Sequence, residues 1–209
     1  MNGAGPLQRW WWRRRHGEGA WAALLAPAPA DEWVSLDLET TGLDPASDHI
    51  LSLAAVPVRA GQVRLSERFE RRIRPDRAFG IESIRHHRIT PDEAADGASV
   101  TTAVREFLAW LGPRTLLGYH LGFDLDMLAP HARAVAGFPL PNPRIDLADE
   151  IARAQRRQAP DAPPELDFVH LCDRLGVPVM GRHTALGDAA TVGACWLAFE
   201  RLGWPATTG

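Results

Sequence analysis

The sequence contains no lysine, only two cysteines and a single tyrosine among its 209 residues. All 23 basic side chains are therefore arginine, which we interpret as the coding bias of a GC-rich bacterial genome rather than as chemistry. Cys172 and Cys195 lie in apolar helical patterns and lack the short spacing of zinc ligands. We therefore expect buried free thiols in a reducing cytoplasm rather than a disulfide or a zinc site.

Long hydrophobic runs and a strong net charge are also absent. Without a run of about 20 apolar residues the chain has no candidate membrane span, and we expect a cytoplasmic protein with no membrane partner. The formal net charge of -3 and the pI near 6.2 argue against coating of nucleic acid by bulk charge, although a local basic patch remains open. The length and the 45% hydrophobic content suit one domain with a sizeable core and a short extension.

Residues 1–31 differ from the rest of the chain because arginine and tryptophan are concentrated at 9–15 and a Pro/Ala run precedes Asp31. A docked helix, a disordered tail and a wrongly assigned start codon all fit this extension, whereas the apolar part is too short for a secretory signal. The Trp and Arg cluster is also a candidate for binding a nucleic-acid backbone or a membrane surface. We expect the folded domain at 32–203 and a short tail at 204–209.

The hydrophobic pattern predicts an α/β fold. Three strands, at 33–39, 50–58 and 63–73, form an antiparallel meander, and the arginines of the third strand line a solvated face, with nucleic-acid contact as the alternative. Further along, we expect strands at 115–119 and near 145–147, an exposed loop at 155–164, and helices that include 100–111, 124–135, 166–175 and 184–202. Parallel crossovers then give a mixed five-stranded sheet of three antiparallel and two parallel strands, flanked by helices. A short helix and loop are expected from Ile81.

Asp37 and Glu39 are two residues apart on the first strand, so both side chains point to the same face. Two carboxylates ~4 Å apart repel by about 4 kcal/mol at an effective dielectric of ~20, and their site therefore favours a bound cation or a proton. The turn formers Thr40, Thr41 and Gly42 follow, with backbone N–H groups suited to a phosphate or a sugar. An ordinary strand with a polar edge facing water is the alternative.

Asp124 and Asp188 each lie at the start of a predicted helix, where the helix dipole favours negative charge. A capping role would explain both acids. His183 lies five residues before Asp188, and a neutral imidazole beside an acidic metal site is a competent general base near neutral pH. Because His183 is present, an acidic metal site explains Asp124 and Asp188 better than capping alone.

Three segments in order, Asp37–Leu43 (DLETTGL), Gly118–Asp124 (GYHLGFD) and His183–Ala189 (HTALGDA), resemble the three motifs of the DEDDh family of 3′-5′ exonucleases. Within it, residues 32–202 are similar to the proofreading epsilon subunits of bacterial DNA polymerase III. The resemblance implies a ribonuclease-H-like fold in which two divalent cations, Mg²⁺ or Mn²⁺, are held by four acids, namely Asp37, Glu39, Asp124 and Asp188. It also implies that His183 deprotonates the attacking water.

The resemblance further implies that the 3′-terminal nucleotide is received by Thr40, Thr41, Gly42, Leu43, His120 and Phe123. The expected reaction releases nucleoside 5′-monophosphates from the 3′ end of single-stranded or frayed nucleic acid, with DNA favoured over RNA. Two alternatives remain open, namely a 3′-5′ exonuclease of RNA or oligoribonucleotides and a non-catalytic nucleic-acid-binding module.

The sequence departs from the family pattern at two positions. Leu121 replaces an Asn that commonly follows the histidine of the second motif, and Arg88 replaces a Gly that often precedes Ile-Thr. Because neither is one of the four acids, we expect the chemistry to survive and substrate handling to differ. The sequence ends at Gly209, soon after the last predicted helix, so we also expect a free-standing exonuclease without a stable polymerase tether.

Overall fold

A computed structural model describes residues 5–80, 84 and 88–204 of the protein. The strands are β1 Glu32–Thr40, β2 Ile50–Arg59, β3 Gln62–Val63, β4 Phe69–Arg72, β5 Thr115–Gly118 and β6 Arg144–Asp146. The helices are α1 Pro6–His16, α2 Pro91–Ala95, α3 Val100–Leu111, α4 Leu121–Ala136, α5 Leu147–Gln158, α6 Phe168–Arg174 and α7 Ala185–Leu202. Most of the short helix expected from Ile81, and the tail at 205–209, lie outside the described residues.

The strands form one mixed sheet in the order β3-β2-β1-β5-β6, with β4 also paired to β2. β1 is antiparallel to β2 and parallel to β5, and β5 is parallel to β6. The predicted α/β fold class is thereby confirmed. The expected third strand is split into β3 and β4 because the chain turns at Arg64, whose N–H bonds back to the Pro57 carbonyl, and passes through a 3₁₀ turn at Leu65–Glu67. The sheet therefore has six strands instead of five.

The two faces of β1 serve different layers. Val34, Leu36 and Leu38 are buried against the layer of α3 and α4. The residues between them face α7, which lies close to the sheet because Gly193 has no side chain; a Cβ there would lie 2.8 Å from Val58 Cγ2. This alternation places Asp37 and Glu39 beneath the start of α7.

Helix α5 corrects the start of the expected exposed loop at 155–164. The helix continues to Gln158, and its first apolar residues, Leu147, Ile151 and Ala154, recur at helical spacing and are buried. The polar residues at its end lie on its solvent side, so the residues at 155–158 were wrongly interpreted as loop. Residues 159–164 belong to no helix or strand and are mostly exposed, as expected. Cys172 and Cys195 are buried and free, as expected, with their sulfur atoms 3.6 Å apart.

The N-terminal extension contains a docked helix. Trp12 of α1 is buried, and its ring stacks on Phe138 with 5.9 Å between the ring centroids. Arg9 donates to the carbonyls of Pro141 and Ala26, so the helix is fixed by hydrogen bonds as well as by packing. No helix in the described part of the chain is both long and apolar enough to cross a membrane.

Candidate active site

Three carboxylates meet where β1 ends and α7 begins. Asp37 and Glu39 come from one face of β1, and Asp188 comes from the first turn of α7. One ligand oxygen of each residue lies within 4.8 Å of those of the other two. Thr184 caps α7 by accepting from the Gly187 N–H, so Asp188 lies at the positive end of the helix dipole. The predicted acids Asp37, Glu39 and Asp188 are therefore brought together.

The fourth predicted acid, Asp124, lies in the first turn of α4 and is buried. Its Oδ1 accepts a hydrogen bond of 3.0 Å from the backbone N–H of Leu38, the residue between Asp37 and Glu39. This bond ties α4 to the strand that carries the other two acids. It also places the negative charge of Asp124 close enough to Asp37 to perturb its ionisation.

Burial and mutual repulsion shift the ionisation of three acids in the same direction. Burial raises the pKa of Asp37 well above its ordinary value, and the charges of Asp124, Glu39 and Asp188 raise it further. Burial raises the pKa of Asp124 to about 8, opposed by the hydrogen bond from Leu38. Burial raises the pKa of Glu39 to about 7, and repulsion by Asp188 adds to the shift. The cluster therefore favours protons or a cation over bare negative charge.

Arg182 is a member of the site that the sequence reasoning missed. Its guanidinium donates a 2.8 Å hydrogen bond to Asp188 Oδ2 and lies 4.7 Å from the centroid of the Phe168 ring. The positive charge lowers the pKa values of Asp37 and Glu39 and so opposes the other effects. Its position directly before His183 is the sequence signal that could have found it.

His183 lies in the loop that leads into α7 and has a left-handed backbone, with φ of 62°. Its backbone N–H donates to Asp188 Oδ2 over 3.1 Å, which places the histidine beside the acids. Gly187 allows this loop to fold tightly, since a Cβ at that position would lie 2.2 Å from the Met180 carbonyl oxygen. Thr191 closes the loop by accepting from the Met180 N–H.

The donor set fits divalent cations. Asp188 Oδ1 is buried and has no hydrogen-bond partner in the part of the chain that the structure describes. An unpartnered buried carboxylate oxygen is costly, and a bound cation would remove that cost. The neighbouring ligand atoms are all carboxylate oxygens, the donors that Mg²⁺ and Mn²⁺ prefer.

The loop after β1 is held by its own hydroxyls. The Thr40 hydroxyl donates to the Gly42 carbonyl, and the Thr41 hydroxyl donates to Asp48. Asp48, a residue that sequence reasoning overlooked, packs so tightly on the loop that a Cβ on Gly42 would lie 2.4 Å from its Oδ2. Thr40, Thr41 and Gly42 therefore build the loop, and Leu43 at its tip is 84% exposed.

The second motif leads into the first turn of α4, which carries Asp124. His120 is exposed and has a left-handed backbone, and its N–H donates to Asp146 Oδ1, which also caps α5. Phe123 is half-buried and packs against the hydrophobic core that contains Leu36 and Leu38. Leu121, one of the two departures from the family pattern, is also buried and faces Gly118 at close range.

The other departure lies on a cleft beside the acids. This cleft has a volume of about 430 Å³, and its walls include Glu39, Arg72, Arg88 and Thr184. Arg88 has a φ of 58°, in the region that favours glycine, which explains why a glycine is common at this position in the family that the sequence resembles. The arginine thus adds a positive charge to the cleft at the cost of backbone strain.

The fold and the carboxylate cluster define a mixed α/β protein with a site built for divalent cations. Residues 34–194 match the model of the exonuclease family RNase_T. The chain belongs to this exonuclease family, which confirms the predicted family and class of enzyme.

Two similar proteins agree with this family assignment. The chain is 30% identical over 176 residues to a DNA polymerase III PolC-type protein of Oceanobacillus iheyensis, covering 82% of the chain and 12% of that protein. It is 31% identical over 191 residues to a DNA polymerase III subunit epsilon-like protein of Rhodobacter capsulatus, covering 88% of the chain and 25% of that protein. The chain therefore spans a quarter or less of these relatives.

A solved structure shares the fold. The zinc-bound form of the complex of E. coli exonuclease I with single-stranded DNA superimposes with a TM-score of 0.69 at 21% identity. The superposition covers 82% of the chain and 41% of that structure. At this identity the likeness establishes the ribonuclease-H-like fold of the exonucleases.

Proposed function

We propose that the protein is a metal-dependent exonuclease that hydrolyses the 3′-terminal phosphodiester bond of single-stranded or frayed DNA and releases nucleoside 5′-monophosphates. The observation that carries the proposal is the meeting of Asp37, Glu39 and Asp188 within 4.8 Å, beside a loop with an exposed apolar tip. Membership of the exonuclease family supports the reaction class, and the DNA named in the exonuclease I complex supports the substrate.

The four acids would share the work of holding two divalent cations, Mg²⁺ or Mn²⁺, with Asp124 reaching the site from α4. Such ions, when bound, activate a water molecule and stabilise the leaving oxygen in an in-line displacement at phosphorus. His183 would accept the proton as the water oxygen bonds to phosphorus and the bond to the 3′ oxygen breaks. Arg182 would balance the charge of Asp188 whenever the site lacks cations.

The terminal nucleotide would lie between the loop after β1 and the start of α4. Leu43 would pack on the last base, and the loop Thr40–Gly42 would meet its sugar or phosphate. His120 and Phe123 would approach from α4. Packing and backbone contacts do not read base identity, which suits an enzyme that must remove any nucleotide.

The proposal is tested with DNA and RNA oligonucleotides labelled at the 3′ or the 5′ end and incubated with Mg²⁺, Mn²⁺ or EDTA. We expect a ladder that shortens from the 3′ end only with metal, and a rate at least ~100-fold lower for His183→Ala, as for loss of a general base. Asp188→Asn should lower the cleavage rate as much as His183→Ala does. Asp126→Asn is the matched control, since this exposed acid lies outside the carboxylate cluster.

Three results would contradict the proposal. Full activity of Asp37→Ala and Asp188→Ala would show that the site is assigned wrongly. Faster digestion of RNA than of matched DNA would favour the RNA exonuclease. Binding of DNA without cleavage under either metal would favour the non-catalytic module.

A further inference from the structure

Helix α1 presents two different faces, and its inner face is fully used in docking. Trp12 is 7% exposed, and both Trp12 and His16 contact the ring of Phe138. Arg9 and Arg13, on the same side of the helix, donate to backbone carbonyls of neighbouring segments. The inner residues recur at helical spacing, so the orientation of the outer face is fixed by the docking.

The outer face carries two exposed indoles. Trp10 is 56% exposed and Trp11 is 51% exposed, although tryptophan is normally among the more buried residues. The guanidinium of Arg14 lies 5.1 Å from the Trp10 ring centroid, and that of Arg15 lies 5.3 Å from the Trp11 ring centroid. These cation–π contacts hold the rings in place while about half of each side chain still faces solvent. We call these four residues the outer patch.

The charge of the outer patch is not neutralised within its helix, because α1 contains no acidic residue. Several arginines elsewhere on the surface are in ion pairs, such as Arg71 with Glu106 at 2.6 Å and Arg72 with Glu93 at 3.7 Å. The arginines of β4 are thus partly neutralised, whereas α1 concentrates positive charge on a protein whose net charge is -3.

We infer that the outer patch is a second binding site for single-stranded nucleic acid, separate from the carboxylate cluster. Exposed aromatic rings combined with arginine bind single strands by stacking on bases and attracting phosphates, without reading sequence. A membrane-binding helix would present its apolar stripe to the lipid, but here the buried Trp12 faces the protein core and the outer residues are polar apart from the two indoles and Leu7. The occupant rests on the proposed function, since a strand held there would be the substrate of the same chain.

The distance between the two sites sets the length of strand that can reach both. From Asp124 beside the acids, helix α4 continues to Ala136, two residues before Phe138, on which Trp12 packs. Twelve residues at ~1.5 Å per residue give ~18 Å along the helix. The outer patch lies on the far side of α1, about one helix diameter of ~10 Å beyond that point. A stacked strand advances ~3.4 Å per nucleotide, so a 4-mer spans ~14 Å and is too short to reach both sites.

The test measures binding of fluorescent DNA oligonucleotides of 4 and 30 nucleotides in EDTA, where no metal-dependent cleavage occurs. The full-length protein is compared with Trp10→Ala/Trp11→Ala, with Trp10→Phe/Trp11→Phe, and with Leu7→Ala. Leu7 is a matched control because it lies on the same helix and is 84% exposed but offers no aromatic face. We expect the alanine double variant to raise the Kd of the 30-mer ~10-fold or more, the loss expected for one or two base stacks. The Kd of the 4-mer, which can occupy only one of the two sites at a time, should rise much less.

The phenylalanine variant should retain most of the affinity, and Leu7→Ala all of it. Unchanged binding of the 30-mer by the alanine variant would overturn the inference. Equal weakening of both oligonucleotides would also overturn it, because a strand that bridges two sites must lose more affinity than a strand too short to bridge them. If the alanine double variant loses binding to vesicles of anionic lipid but binds DNA as the wild type does, the patch is a membrane-binding site instead. If the wild type cleaves no oligonucleotide but the alanine double variant still shows the length-dependent loss of binding, the proposed function fails and the second site stands.

Discussion

Replacing Asp124 with Asn should make the metal-free protein more stable near neutral pH while impairing its activity. The amide oxygen of Asn can still accept the hydrogen bond from Leu38, so the link between α4 and β1 is kept. The substitution removes a buried group whose pKa is raised from 3.8 to about 8. Between these values the folded protein holds a proton that the unfolded chain has lost, so stability falls as the pH rises.

The size of the effect follows from this proton. One proton of difference changes the free energy of unfolding by about 1.4 kcal/mol per pH unit, or about 3 kcal/mol between pH 5 and pH 7. For a protein of this length 1 kcal/mol corresponds to roughly 2–4 °C in Tm. The Asp124→Asn protein should therefore lose roughly 6–12 °C less than the wild type over the same pH interval.

The assay is thermal unfolding in EDTA at pH 5, 6 and 7, repeated with Mg²⁺. Added Mg²⁺ should raise the Tm of the wild type most at pH 7, where the carboxylates repel one another most, and should raise that of the variant less. Asp126→Asn controls for the loss of one negative charge from the same helix. A wild-type Tm that is independent of pH in EDTA, or a variant that falls as steeply, would refute the reasoning.

Two further substitutions test the loops that frame the site. Gly187→Ala should lower both Tm and activity, because its Cβ would lie 2.2 Å from the Met180 carbonyl oxygen and must displace the loop of His183; unchanged unfolding and turnover would show that the loop yields without cost. Leu43→Ala should leave stability within about 0.5 kcal/mol, since Leu43 is 84% exposed, but should raise KM for an oligonucleotide. An unchanged KM, measured beside the equally exposed Leu7→Ala, would remove Leu43 from the substrate site.

Much of the site follows from local rules. The alternation of a strand places Asp37 and Glu39 on one face whatever the rest of the chain does. The capping residue Thr184 and the helical pattern after it place Asp188 in a first turn. The meeting of residues 37 and 188 does not follow from such rules, and it was the resemblance to a family that connected them.

Arg182 and Asp48 show what local rules leave out. An arginine or an aspartate in a loop is usually solvated, and its partner is decided by segments that meet only in the folded protein. Asp48 holds the turn at Gly42 through contacts that no spacing rule anticipates. Arg182 donates a hydrogen bond to Asp188, six residues away, because the intervening loop folds back on Gly187.

The differences in the fold have a similar origin. A continuous β pattern at 63–73 predicted one strand, but the chain leaves the ladder after Val63 and rejoins it at Phe69, so two short strands share β2 as a partner. In α5, polar composition was given more weight than the recurrence of Leu147, Ile151 and Ala154, although burial on one side is sufficient to hold a helix.

The hydrogen bond from Leu38 to Asp124 also bears on the order of events during synthesis. It joins residues 86 positions apart, and Asp188 follows after a further 64 positions, so a growing chain carries the first two acids long before the site can close. Contacts of this separation form late because the chain entropy of closing them must be overcome first. A nascent or truncated chain that lacks α7 therefore holds mutually repelling carboxylates without the acid that completes their cluster. On the proposed function, nuclease activity would appear only after nearly the whole domain had folded.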